Sequence, residues 1–299
     1  MNWQFFIEVL LSGLLAGVMY SLVALGFVLI YKASGVFNFA QGAMVFFAAL
    51  TFVSLVEHGL NFWLALGATL IVMVVLGILI EKMVLRPLVN QPQITLFMAT
   101  IGLTFVLEGL AQLAWGSQPH GLELAIADEP IKWLSESVNI NVSQFDLFAA
   151  AVAGTLVAVL AVFFQTTRIG RALRAVADDH QAALAVGIPL RQIWAIVWTV
   201  AGFVALVAGL MWGARNGVQF ALTFIALKAL PVLILGGFES VAGAIVGGLI
   251  IGASEKLAEV YLGPMVGGGL ESWFPYVLAL AFLLVRPEGL FGEKRIERV

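Results

Sequence analysis

The amino-acid sequence predicts an all-α fold: a polytopic membrane bundle of about eight to nine transmembrane helices, one of them broken near residues 35–44. Three observations lead there. Of the 299 residues, 62% are hydrophobic and only 11% are charged, with a mean hydropathy of +1.04. A soluble domain of this length carries about a quarter charged residues. Apolar runs recur along the whole chain, each near the ~20 residues needed to cross a hydrocarbon core of about 30 Å. The runs are continuous rather than alternating, which excludes a transmembrane β-barrel.

In order, the apolar segments are 5–31, 36–56, 61–81, 93–115, 145–165, 192–213, 218–238, 241–261 and 273–285. The first has no basic leader and no short apolar stretch ending in a cleavage site, so it reads as a retained span rather than a signal peptide. It is long enough to cross with tilt. The last is short and extends back towards Pro275. Eight spans, with one segment re-entrant, is the alternative to nine.

Charge sets the orientation. The connections 32–35, 82–92, 166–191 and 239–240 and the tail 286–299 hold Lys32, Lys82, Arg86, Arg168, Arg171, Arg174, Arg191, Arg286, Lys294, Arg295 and Arg298, eleven of the fifteen basic residues. That side is expected to be cytoplasmic. The opposite loop, 116–144, carries Glu123, Asp128, Glu129 and Glu136 against Lys132. Nine spans then place the N-terminus outside and the C-terminus in the cytoplasm. No soluble domain interrupts the chain, so residues 1–299 are expected to form a single transmembrane domain.

Within the spans, polar residues are expensive and call for a use. The stretch "GVFNFAQGAM" (35–44) follows the first span and carries Asn38, Gln41 and two glycines. Two readings are open: an interfacial helix start with Gln41 solvated by headgroups, or a broken helix whose amides and freed backbone line a polar cavity. Glu108 lies well inside the fourth span and Lys228 deep in the seventh, three residues before Pro231, where a kink is expected. Both charges should face protein or water, and they are candidates for a buried ion pair with each other or for a place on a transport pathway.

Gly13 and Gly17, Gly243 and Gly247, and Gly248 and Gly252 are each spaced by four, which allows helix backbones to approach closely. Such a seam serves tight packing or an interface that moves. In the loop "TTRIGRALRAVADDHQAALAVGIPLRQ", Arg168, Arg171 and Arg174 recur every three residues. Asp178 or Asp179 offers a cap for a short helix over 180–186, Gly187 fits its C-terminus and Pro189 prevents continuation. The result is a compact helix with a small alanine face (Ala182, Ala183, Ala185), suited to docking a partner.

The chain contains no cysteine, no GxxxxGK[ST] phosphate loop and no Gly-x-Ser-x-Gly elbow, and its three histidines, His58, His120 and His180, show no metal-binding spacing. No catalytic residue, cofactor or metal is expected, and ATP hydrolysis by this chain through a phosphate loop is excluded.

Taken together, "SGLLAGVMYSLVALGFVLIYKASGVFNFAQGAM", "TIGLTFVLEG", "QAALAVGIP", "LPVLILGGFESVAGAIVGGLIIG" and "RPEGLFGEKRIERV" resemble the permease subunits of leucine/isoleucine/valine-type ABC transporters, in the same order over nearly the whole chain. The most specific stretches are "NFAQG", "GGFESVAGAIVGG" and "RPEGLFG". Length and first segment look like the shorter of the two permeases of such systems. The resemblance implies a bacterial inner-membrane importer. A second homologous permease would complete the pathway, two cytoplasmic ATP-binding subunits would drive it, and a periplasmic substrate-binding protein would deliver the amino acid. It also implies that Asn38, Gln41 and Gly42 fall at a broken helix near the pathway, with Glu108 a further candidate. Ala182, Ala183, Gly187 and Ile188 would belong to the helix that couples to the ATPase, in a variant loop with Gln181 where glutamate is usual. Two departures leave the cargo open: Ala43 stands where glutamate is frequent, and Glu108 where glutamine is. Urea, short amides and other amino acids are carried by similar permeases. From another class, an ATP-independent secondary transporter would exploit Glu108 and Lys228.

Overall fold

The fold was analysed in a computed structural model that describes residues 3–88, 91–124, 126, 128–178 and 180–292. Asp179, offered above as a helix cap, and Lys294, Arg295 and Arg298 of the tail lie outside the described residues. The helices are α1 (Trp3–Ser34), α2 (Gln41–Glu57), α3 (Phe62–Ile80), α4 (Gln93–Trp115), α5 (Lys132–Val138), α6 (Gln144–Thr166), α7 (Arg168–Asp178), α8 (His180–Ala185), α9 (Leu190–Asn216), α10 (Ile225–Gly236), α11 (Val241–Val266) and α12 (Leu270–Val285). Among the described residues there is no β-strand, only the isolated bridges His120–Val218 and Pro130–Ser143. Each of the nine predicted segments contains a helix, although 36–56 turns helical only from Gln41 and 218–238 only from Phe220. Among the described residues, six helices are long and apolar enough to span a membrane, and the shorter apolar ones are α2, α12 and residues 220–236. Large side chains left bare on α3, α4 and α12, such as Ile71, Leu113 and Leu284, suit a lipid surround.

The chain divides into two compact units. The second comprises residues 26–123 and 159–226 and is centred on α2, which packs on α3, α4, α9 and a 3₁₀ turn at Phe220–Phe224. α2 is buried nearly all round, as expected of a helix that is apolar on every side. Small residues set the spacing: a Cβ added at Gly209 of α9 would meet the Val45 carbonyl at 2.6 Å, and one at Gly77 of α3 would meet the Thr199 nitrogen at 2.9 Å. α3 ends in a π-helical turn, Glu81–Leu85. A wider turn brings residues five apart into line, and Arg86 grips the buried Glu81 carboxylate with Nε at 3.1 Å and Nη2 at 2.8 Å. In the 166–191 connection, Arg171 donates to the Thr166 carbonyl and Arg174 to that of Phe164. These arginines therefore satisfy the orphan carbonyls at the end of α6.

The first unit comprises residues 1–25, 124–158 and 227–299. Its spine is the glycine seam between α1 and α11. A Cβ at Gly13 would meet the Gly252 carbonyl at 2.7 Å, and one at Gly248 would meet that of Gly17 at 2.6 Å. The spacing by four read from the sequence thus lies at a real backbone contact, and the Ser21 hydroxyl lies against both backbones, 2.9 Å from the Gly17 carbonyl of its own helix and 3.4 Å from the Ile245 carbonyl of α11. The stretch "GGFESVAGAIVGG" makes the hairpin between α10 and α11. Gly237 (φ +102°) turns the chain, Ser240 caps α11 by accepting from the Gly243 amide at 2.9 Å, and the Gly236 and Gly243 backbones touch. "RPEGLFG" then folds back on this hairpin. Leu290 donates to the Leu235 carbonyl at 2.8 Å and Phe291 to that of Gly236 at 3.1 Å, supplying donors to the last carbonyls of α10. Pro231 sits inside α10, where it has no N–H for the Leu227 carbonyl four residues back. The Tyr276 hydroxyl of α12 donates to that carbonyl instead, at 2.7 Å.

The seam makes a clear stability prediction. Gly252→Leu, whose side chain would collide with Gly13 and Gly17, should lower stability by about 1–3 kcal/mol or more. Gly67→Ala on α3, where nothing lies within 4 Å, should be neutral or stabilise by up to ~1 kcal/mol. Thermal unfolding of the two variants in detergent measures both; equal midpoints would remove the seam's role.

Candidate functional site

The break at residues 35–40 is built from its own amides. α1 stops at Gly35, whose φ of +68° suits a helix terminus and whose N–H bonds the Tyr31 carbonyl at 2.7 Å. Trp194 of α9 donates to the Ala33 carbonyl at 3.0 Å. Asn38 folds over the start of α2: its Oδ1 accepts from the Ala40 N–H at 3.1 Å and its Nδ2 donates to Gln41 Oε1 at 3.3 Å. Gln41 Nε2 in turn donates to the Ala201 carbonyl, in the middle of α9, at 3.4 Å. Asn38 and Gln41 are both fully buried. Headgroups therefore do not solvate Gln41, and neither amide lines an open cavity in this conformation; both hold the non-helical backbone against α9. Gly42 lets the 3₁₀ turn approach, since a Cβ there would strike the Thr223 carbonyl.

α4 secures the same break from its other side. Thr100 is buried; its Oγ1 accepts from the Phe39 N–H at 3.2 Å and lies 3.2 Å from the Phe37 carbonyl. Phe37 stacks on Phe27 at 4.7 Å, and Phe39 sits edge-on to Phe97. Thr100, Thr104 and Glu108 follow at intervals of four, one polar stripe along α4. Glu108 is nine-tenths buried and has no hydrogen-bond or ion-pair partner among the described residues.

In the first unit, Lys228 has a partner that the sequence reading did not name. Its Nζ lies 3.2 Å from Oε1 of Glu255, on α11, and 5.9 Å from the centre of the Tyr20 ring. The expected Glu108–Lys228 pair is thus corrected to Lys228–Glu255. Tyr20 OH donates to the same Glu255 oxygen at 3.1 Å. Glu255 was legible by the criterion that singled out Glu108, an acid in mid-span, whereas nothing in the sequence pointed to Tyr20 or Thr100.

The 180–186 helix forms as α8 and ends in a Schellman motif. Gly187 (φ +85°) donates to the Leu184 carbonyl at 3.0 Å, and Ile188 to that of Ala183 at 2.9 Å. Its outward surface differs from the expected alanine face. Ala183 is buried, while Ala182, Leu184, Ala185, Val186 and Gly187 are exposed and Ile188 is half-buried. Among the described side chains, the helix is bare on every side but the one that carries Ala183, which turns inward while its neighbours turn out.

Interrupted backbone and paired charges inside a bundle of apolar helices mark a membrane transport protein. Comparison with known proteins gives the family: residues 9–286 match the model of the branched-chain amino acid transport system permease component, and the chain belongs to that family, the permeases of ABC importers. It is similar to the high-affinity branched-chain amino acid transport system permease protein LivH of Salmonella typhimurium, at 28% identity over 100% of this chain and 99% of the relative. BraD of Pseudomonas aeruginosa, with the same description, is 27% identical over 98% of each chain. A probable branched-chain amino acid transport permease protein LivH of Methanocaldococcus jannaschii is 29% identical over 93% of this chain and 90% of that one. The protein is therefore a multi-pass membrane permease of a family that works with ATPase and substrate-binding partners.

The buried amide relay can be tested through stability. Gln41→Leu leaves the Asn38 amide without its acceptor, at a cost of about 1–3 kcal/mol. The variant should unfold at a lower temperature than the wild type in detergent; an unchanged midpoint would show that the relay does not hold the break.

Proposed function

We propose that this chain, as one permease domain over residues 1–299, forms the translocation pathway of an ATP-driven importer for branched-chain or related amino acids. A second homologous permease lies beside it, two ATP-binding subunits dock from the cytoplasm, and a periplasmic binding protein delivers the cargo. The N-terminus lies outside and the C-terminus in the cytoplasm of a bacterial inner membrane, in keeping with the basic residues of the 166–191 loop. The chain itself is not an enzyme and holds no cofactor.

The observation that carries this reading is α8 with its cap. An exposed apolar patch of Leu184 and Val186, 52% and 76% exposed, stands on a loop outside the spans. Bare apolar side chains there suit a protein partner, and the Schellman motif gives the helix a defined end against which that partner can bear. The cargo rests on the names of the relatives. Asn38, Gln41 and Gly42 serve the pathway by holding the helix break in place rather than by touching cargo. One observation favours a second reading: the unpartnered Glu108 is where an ATP-independent, proton-coupled carrier would act, and Glu108→Gln would then abolish transport.

Purification of the tagged chain from its native membrane in mild detergent should bring an ATPase and a second permease with it. A chain that runs alone and still transports in vesicles without ATP would overturn the proposal. Gly187→Arg, at a positive φ that only glycine adopts easily, should lower ATP-driven uptake by about tenfold or more while the ATPase subunits still co-purify. Uptake at the wild-type rate would remove α8 from the coupling role.

A further inference from the structure

The Lys228–Glu255–Tyr20 cluster has an asymmetry that simple packing does not require. Glu255 is almost wholly buried, its side chain 2% exposed, while the side chain of its partner Lys228 is 35% exposed. The depth of the pair follows from chain geometry. Glu255 stands fourteen residues after Val241 and eleven before Val266, about 21 Å and 16 Å from the two ends of α11 at 1.5 Å per residue. Lys228, in contact with it, shares that depth. A lysine one-third exposed at mid-span does not turn its charge to lipid; the charge faces protein or a water-filled space. Tyr20 holds the carboxylate from one side, and Tyr276 fixes the backbone next to Lys228 through the Leu227 carbonyl. The carboxylate is thus anchored, and the lysine is the member of the pair that reaches outward.

We propose that Lys228 lines the water-accessible pathway and receives the α-carboxylate of a zwitterionic amino acid in passage, with Glu255 as the counter-ion from which it exchanges. This rests on the importer reading above. The chemistry favours a zwitterion. When Lys228 moves off Glu255 to the cargo it uncovers the Oε1 it had covered, so a cargo with one carboxylate and one ammonium replaces the internal pair with two new ones and leaves no unpaired charge at mid-depth. An uncharged cargo such as urea or a short amide offers Lys228 nothing in return for Glu255. The cluster therefore assigns the site to amino acids among the cargoes that similar permeases carry.

The absence of cysteine from the chain provides the test. In the assembled transporter in membrane vesicles, Lys228→Cys, combined with Glu255→Gln so that no charge is left alone, should react with the anionic reagent sulfonatoethyl methanethiosulfonate. Binding protein loaded with leucine should slow that reaction by about tenfold, the change that ~1.4 kcal/mol represents. Leu280→Cys, on the bare face of α12, serves as the lipid-facing control. Labelling of Lys228→Cys no faster than of this control would overturn the proposal, as would labelling that leucine leaves unchanged. A second variant covers function: Lys228→Met with Glu255→Met should lose about tenfold or more of leucine uptake while loaded binding protein still stimulates the ATPase, and Lys228→Arg should restore uptake. Wild-type uptake by the double Met variant would also overturn it. Failure of the importer reading is separate, because the wild-type complex itself would then show no ATP-driven leucine uptake.

Discussion

Lipid supplies no hydrogen bonds, and this single constraint organises the structure. Every place where a helix stops or loses a donor must be answered from within the chain, and each break traced above has a named answer. The non-helical stretch at 35–40 is held by Asn38, Gln41 and Thr100. The carbonyl that Pro231 leaves open is taken by Tyr276. The last carbonyls of α10 bond to Leu290 and Phe291, and those of α6 to Arg171 and Arg174. Residues that look like unrelated polar intrusions in an apolar sequence thus share one task. Each stands where backbone would otherwise go unsatisfied.

The second constraint is distance. Without a hydrophobic drive between helices in lipid, contact energy comes from close packing, and glycine sets how close. The α1–α11 seam and the approach of α9 to α2 both bring backbone atoms where a Cβ would not fit. Close approach also limits what can move: a seam of interlocked backbones behaves as one rigid body, while the segments around a helix break can shift with less loss.

Much of this was legible in the sequence, and the parts that were not share a cause. Apolar length marked all nine segments, because the hydrocarbon thickness fixes it. The Gly187 cap and the glycine spacings were legible because they depend on neighbours within one turn. Partners distant in sequence were not. Nothing local says that Gln41 reaches Ala201, that Thr100 holds Phe39, or that Lys228 meets Glu255 twenty-seven residues on rather than Glu108. The direction of Ala183 was hidden for a related reason: a short helix has no periodicity long enough to show its inner side. Composition shows that a polar group needs a partner; only the fold chooses which.

That distinction bears on how such a permease can be selective. The amides that first suggested a cargo site are engaged with backbone and with each other and are fully buried, so a passing solute does not reach them in this conformation. Apolar side chains alone discriminate weakly, since a methylene more or less in an apolar setting changes affinity by only about 1–3 kcal/mol. What remains able to discriminate within the chain is charge, because an unmatched charge at mid-depth is far costlier than an unmatched methyl group. On the proposed role of Lys228 and Glu255, a division of labour follows: the membrane chain accepts a class of cargo defined by its charges, and the choice among side chains falls to a protein that binds the cargo in water.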